Sequence, residues 1–152
     1  MPVTIDGKDS IIQEQAGAYA TMVIWYDSLQ CVSCYMGFID AWKQFFEYSR
    51  DSVDGFGPVL ILVPPKRNIV EFEETLKKSH YKFPINVDYS YKFCNLNPKI
   101  VSSDCQNVFL LDKNHEIVLV GNPFYNNSMM RLYKRTINVL IANQGVIPKL
   151  LY

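Results

Sequence analysis

Ala20-Thr-Met-Val-Ile-Trp-Tyr-Asp-Ser-Leu-Gln-Cys-Val-Ser-Cys34 is the stretch on which the fold turns. Its first seven residues are a β-branched and aromatic run without polar alternation, the pattern of a strand buried on both faces in a parallel sheet. Such a strand needs helices to cover it. One follows at once. From Cys31 to about Arg50, Tyr35, Phe38, Ile39, Trp42, Phe45 and Phe46 recur at spacings of three and four, which puts them on one helical face. The two cysteines therefore stand between a central strand and the first long helix.

Working outward, Gly57-Pro-Val-Leu-Ile-Leu-Val63 reads as a second doubly buried strand closed by Pro64-Pro65. Asn68 followed by Glu71 resembles a capping box, and Ile69, Phe72 and Leu76 continue with a helical period. Pro84–Asp88 reads as a short strand, and Tyr89 to Leu96 as a short helix stopped near Asn97-Pro98. Gln106–Leu111 and Glu116–Val120, joined by Asp112-Lys-Asn-His115, form an antiparallel hairpin pattern. A final helix runs from about Asn127 to Asn143 with Met130, Tyr133, Ile137, Leu140 and Ile141 inward and Gly145 beyond its end. The expectation is an α/β fold: a central mixed β-sheet flanked by helices on both faces, ending in a C-terminal β-hairpin and helix.

At 152 residues and 17.6 kDa, the chain has the size of one domain, expected to span 1–152. With 49% hydrophobic and 20% charged residues, and 15 Lys+Arg against 15 Asp+Glu, it fits neither a disordered chain nor an electrostatic nucleic-acid binder. Its longest apolar runs, Val59–Val63 and Val108–Leu111, fall far short of the ~20 residues that cross a bilayer, so no membrane span is expected. The segment after Met1 has neither a basic start nor an apolar stretch and does not read as a signal peptide.

Cys31-Val-Ser-Cys34 carries the chemistry. A spacing of i, i+3 on a first helical turn brings two sulfurs onto one face, within reach of a reversible disulfide. Unpaired backbone N–H groups and the helix dipole at that end favour a thiolate. Cys31 is expected to attack and Cys34 to resolve the mixed disulfide. The alternative for such a pair is half of a zinc site, which needs two more ligands in a similar knuckle; Cys94 and Cys105 are not so spaced, and His80 and His115 are grouped with neither. Cys94 and Cys105 are first read as small buried hydrophobes.

The order strand, Cys-x-x-Cys helix, strand, helix, Phe83-Pro-Ile-Asn-Val-Asp88, helix, then Val108-Phe-Leu-Leu-Asp-Lys-Asn114 with Gly121 after the next strand, resembles the thioredoxin fold. More narrowly it is similar to TlpA/ResA-type thiol-disulfide oxidoreductases and related peroxiredoxin-like exported bacterial proteins. The resemblance covers about residues 15–145. It implies disulfide exchange with protein thiol/disulfide substrates and a redox partner protein, no bound cofactor, and a site outside the cytoplasm, either periplasmic or membrane-anchored after export. It also implies a set of neighbours for the cysteine pair: Asp27, Ser28, Cys105 and Gln106. The family's proline before the hairpin strand is matched by Gln106, preceded by Cys105; its buried acid six residues before the first cysteine is matched by Trp25; its glutamate after the second strand falls at Pro65-Lys66; and Gln30 replaces the tryptophan that often precedes the first cysteine. Two readings stand for Asp27, near the active-site loop: a substitute for the family's proton acceptor, or, the commoner fate of an acid in such a turn, a cap or a solvated charge.

The expected function is that of a monomeric thiol-disulfide oxidoreductase acting through Cys31 and Cys34, with no nucleic acid among its partners. Two alternatives stand beside it. Ser28, three residues before Cys31, suggests a thiol peroxidase; and the missing proline and acid leave open a non-enzymatic module whose cysteine pair is inert or binds a metal.

Overall fold

A computed structural model of the chain describes residues 19–27, 37, 39–43, 45, 47, 54–78, 85–98 and 106–148. Among them, β1 (Ala20–Asp27), β2 (Phe56–Val63), β3 (Ile85–Val87), β4 (Gln106–Leu111) and β5 (Ile117–Val120) form one sheet in the order β3-β2-β1-β4-β5. The helical residues are 37, 39–43, 45 and 47 (α1), Ile69–Lys78 (α2), Lys92–Leu96 (α3) and Asn127–Ala142 (α4). β1 pairs parallel with β2, Ala20 opposite Phe56 through Asp27 opposite Val63, and antiparallel with β4, Thr21 opposite Leu111 through Tyr26 opposite Gln106. β1 is thus the central strand its composition predicts.

The pleat sorts β1 into two faces. Met22 and Ile24 join Leu60, Leu62, Val108 and Leu110 in one cluster, covered by α1, α2 and α4; Val23 and Trp25 join Val59, Ile61, Phe109 and Leu111 in another, on which α3 packs through Phe93. Helices lie on both faces, as expected. The larger cluster is keyed by Trp42 of α1, whose ring meets Phe45 at 5.5 Å and, edge-on at 4.8 Å, Phe124 of the loop that leads into α4.

α4 begins where Asn126, in extended conformation, accepts a hydrogen bond from the Met129 N–H at 2.8 Å, satisfying one unpaired donor of the first turn. Tyr133, Ile137 and Leu140 then form its buried stripe, with Met130 and Ile141 partly buried beside them. The Tyr133 hydroxyl donates to the Gly121 carbonyl, tying the helix to the end of the hairpin. Burial holds the phenol well above its usual pKa, so it remains a donor throughout the working pH range. Tyr133→Phe is expected to cost about 1 kcal/mol, the worth of one bond with its acceptor left unpaired, read as a lowered midpoint in urea with an unchanged m-value.

Two local expectations are corrected. Asn68 enters α2 at φ 58°, the left-handed region, instead of the extended conformation of a capping residue; its carbonyl accepts from Phe72 N. Ile69 consequently points outward, 37% exposed, while Phe72 alone of that helix is fully buried. The short helix before Asn97 starts at Lys92, not Tyr89, because Tyr89 and Ser90 turn the chain and Tyr91 stands at φ 56°, ψ 30°.

Candidate active site at the carboxyl end of the central strand

β1 ends at Asp27, level with Val63 at the end of β2, and β4 starts at Gln106 opposite Tyr26. The carboxyl ends of two parallel strands and the start of their antiparallel neighbour therefore lie together. Ligand and reaction sites in open α/β sheets form at such ends, where loops leave the scaffold. Asp27 is hydrogen-bonded by the Tyr91 hydroxyl at 3.4 Å, a contact between the central strand and the residue that precedes α3. The left-handed backbone of Tyr91 is costly for a bulky residue and recurs where a side chain has to be aimed.

Asp88 organises the same region. Its two carboxylate oxygens accept from the Lys92 and Phe93 N–H groups at 2.9 and 3.0 Å, so an anion sits on the first turn of α3. Cys94 lies one residue beyond, half-buried against the Val23 and Phe109 face. Burial pushes its thiol above the usual cysteine range, and the Asp88 and Asp27 carboxylates push it further the same way. A raised pKa leaves the thiol protonated and unreactive at neutral pH. Alkylation of Cys94 by iodoacetamide is expected to be slow at pH 7 and to accelerate only above the ordinary cysteine pKa of about 8.5, followed by peptide mass spectrometry; fast labelling at pH 7 would contradict this.

Trp25 also belongs here. Its side chain shares the face of Val23, and its indole Nε1, on a residue only 5% exposed, has no hydrogen-bond partner among the described residues. Neighbouring Asn107, opposite Trp25, is likewise a buried polar residue. The sheet face that is apolar at Val59, Phe109 and Leu111 thus becomes polar towards this end.

Of the residues predicted for the site, Asp27 is at the end of β1 and the backbone of Gln106 opens β4. Cys31, Cys34, Ser28 and Cys105 lie outside the described residues, as do Tyr35, Phe38 and Phe46 of the predicted helix face. Tyr91 and Asp88 were not singled out by the sequence reading. Asp88 carried a signal, an acid preceding a short apolar helix; Tyr91 carried none, because its partner is Asp27, far away along the chain.

No protein-family model matches the chain, and no curated protein sequence does. Solved structures do resemble it. The exposed lipoprotein thioredoxin Etrx1 of Streptococcus pneumoniae aligns with a TM-score of 0.55 at 17% identity, over 85% of this chain and 90% of that one. A protein of Chlorobium tepidum assigned as the thiol:disulfide interchange protein DsbE aligns at 0.54 with 16% identity, over 84% of each chain. A DsbF homologue from Corynebacterium diphtheriae aligns at 0.53 with 17% identity, over 72% of this chain and 65% of that one. The chain has the thioredoxin fold.

Proposed function

We propose that this thioredoxin-fold chain is a thiol-disulfide oxidoreductase that exchanges disulfides with protein substrates through Cys31 and Cys34. The observation that carries the proposal is the position of the Cys-x-x-Cys segment, which begins four residues after Asp27 closes the central strand and precedes the helical residues of α1. In this reading the Cys31 thiolate attacks a substrate disulfide, forming a mixed disulfide and expelling one substrate thiolate. Cys34, after losing its proton, attacks the Cys31 sulfur, expels the second substrate thiolate and leaves a Cys31–Cys34 disulfide; two electrons have passed to the substrate. The reverse sequence oxidises a substrate dithiol.

Asp27, Ser28, Cys105 and Gln106 are the proposed neighbours of the pair. Support for two of them comes from the flanking strands, since Asp27 and Gln106 stand at the same end of the sheet. Asp27, held by Tyr91, is the proposed acceptor of the Cys34 proton. The whole chain is read as one domain, with protein thiols and a redox partner as its interacting molecules. We place it outside the cytoplasm of a bacterium, the setting that the description of the pneumococcal exposed lipoprotein gives for that protein. No described helix is long and apolar enough to cross a membrane.

The test is a titration in graded thiol-disulfide buffers, read by mass shift after alkylation, on the wild type and on Cys31→Ser. A reversible couple between about −120 and −270 mV that Cys31→Ser removes is the expected result. A pair that stays reduced and retains stoichiometric metal, or stays oxidised throughout, would overturn the proposal, and peroxide consumption faster than disulfide exchange would replace it with a peroxidase.

A further inference from the structure

α1, α2 and α4 cover one face of the sheet, that of Met22 and Ile24. β1 and β2 end level with each other at Asp27 and Val63, so α2, which follows β2, starts at that end. β5 returns to it as well: Val120 lies opposite Phe109, and the Gly121 N–H donates to the Val108 carbonyl, close to where β4 begins. α4 therefore also starts there. β1 lies between β2 and β5 in the sheet, so Asp27, from which the chain leads on to Cys31 and Cys34, stands between the two helix starts.

Each of these flanks presents apolar side chains to solvent. At α2 the left-handed Asn68 turns Ile69 outward, and the next residue, Val70, is 63% exposed. On the loop into α4, Tyr125 is 80% exposed, and the loop beneath it is braced. Asn122 Oδ1 accepts from the Phe124 N–H at 2.9 Å, the Asn122 carbonyl accepts from the Tyr125 N–H at 3.1 Å, and the Phe124 ring packs edge-on against Phe45 of α1 at 5.7 Å. An aromatic side chain on such a loop has little freedom left to lose on binding. Charge selects neither sign of occupant. Lys66, Arg67 and Glu71, beside Val70, are of both signs, and residues 121–130 carry none.

Given the exchange reaction proposed above, on which this reading rests, we infer that Val70 and Tyr125 are specificity-determining contacts for an uncharged stretch of substrate chain that carries apolar side chains two residues before and two after its cysteine. The topology sets that spacing. β2 and β5 are three strand spacings apart, about 14 Å at ~4.8 Å each, and four residues of extended chain cover about 13 Å. Residues i−2, i and i+2 of an extended segment share one face, so both apolar side chains and the sulfur point towards the protein together. A folded partner buries most of its large apolar side chains, whereas a chain that has not finished folding exposes them. The substrate class is therefore cysteine-bearing protein in a non-native state. Neither a second folded copy nor a lipid surface needs the space between the flanks, which is where a substrate sulfur has to arrive.

The probe is a blocked, fluorescein-labelled glycine peptide with a central serine in place of the cysteine and a phenylalanine two residues to either side, titrated with the full chain and read by fluorescence anisotropy. Saturable binding is expected, weakened about tenfold by Tyr125→Ser and about threefold by Val70→Ser, and little changed between about 50 and 500 mM salt. Both side chains are exposed, so each variant is expected to keep the urea midpoint of the wild type. Val146→Ser trims an exposed apolar residue at the opposite end of the sheet, where the Lys113 N–H donates to the Gly145 carbonyl, and is expected not to weaken binding. Aspartate in place of both phenylalanines of the probe is expected to abolish it. With the cysteine form of the peptide as a mixed disulfide, Tyr125→Ser is expected to raise KM more than it lowers kcat. Absence of saturation, equal binding of the aspartate probe, indifference to Tyr125→Ser, or an equal loss with Val146→Ser overturns the inference. So do concentration-dependent dimerisation removed by Tyr125→Ser, which assigns the patch to a second copy, and Tyr125-dependent retention on phosphatidylglycerol vesicles without peptide binding, which assigns it to a membrane. A wild type that binds the probe yet exchanges no disulfide, small or peptide-borne, overturns the oxidoreductase reading instead, so the two failures are told apart.

Discussion

Cys31→Ser is expected to reduce disulfide exchange to the uncatalysed background, whereas Cys34→Ser keeps the attack and loses the release. A serine hydroxyl at neutral pH carries no counterpart of the thiolate, so the first bond cannot form. With Cys34→Ser the first bond forms and persists, because no second thiol attacks it. The two variants are distinguished by non-reducing mass spectrometry after mixing with a small aromatic disulfide: no adduct for Cys31→Ser, one stable adduct for Cys34→Ser. Cys94 is an internal control, since its raised pKa keeps it out of the reaction at pH 7. An adduct on Cys94, or equal turnover in both variants, would remove Cys31 from the nucleophile's role.

Trp42→Ala is expected to be the most damaging core substitution, at about 3–5 kcal/mol. Trp42 is 1% exposed, fills the space between α1 and the Phe124 loop, and contacts two aromatic rings, Phe45 in a tilted arrangement and Phe124 edge-on, which adds to the burial term. That loss is a large part of the 5–15 kcal/mol that usually holds a domain together. Urea unfolding measures it directly, and the second tryptophan, Trp25, buried on the other face of the sheet, remains as the fluorescent reporter. Trp42→Phe, which keeps a ring at the centre of the cluster, is expected to lose less than half as much. A loss below about 1 kcal/mol for Trp42→Ala would mean that α1 does not depend on this contact for its hold on the sheet.

Much of the fold was legible because it is written in periodicity. An uninterrupted apolar run marked β1, spacings of three and four marked Ile39, Trp42 and Phe45 as one face, and the hairpin and α4 emerged within a residue or two of their predicted ends. Contacts that depend on long-range geometry were not legible. Ile69 satisfied the helical period yet faces solvent, because the left-handed Asn68 rotates the start of α2, and no pattern announces a positive φ at an asparagine. The same holds at the candidate site. Asp27 was visible as an acid at the end of a strand, but its partner Tyr91 is defined by two elements meeting in space. Cys31 and Cys34 were read from spacing and position alone, so their assignment rests on the exchange experiments above.

The pairing of β1 has a consequence for how the molecule comes into being. Its parallel partner, β2, arrives early, but its other neighbour is β4, and Thr21 finds Leu111 only after two crossovers have been made. Loop closure over such separations is slow, and contact order of this kind sets folding rates. Until residues 106–111 are available, β1 is an open edge of buried-type residues, Met22, Val23 and Ile24, exposed to any chain that can pair with it. A nascent or translocating chain that stops short of β4 is therefore a target for chaperones, and its last third acts as the clasp that ends that vulnerability.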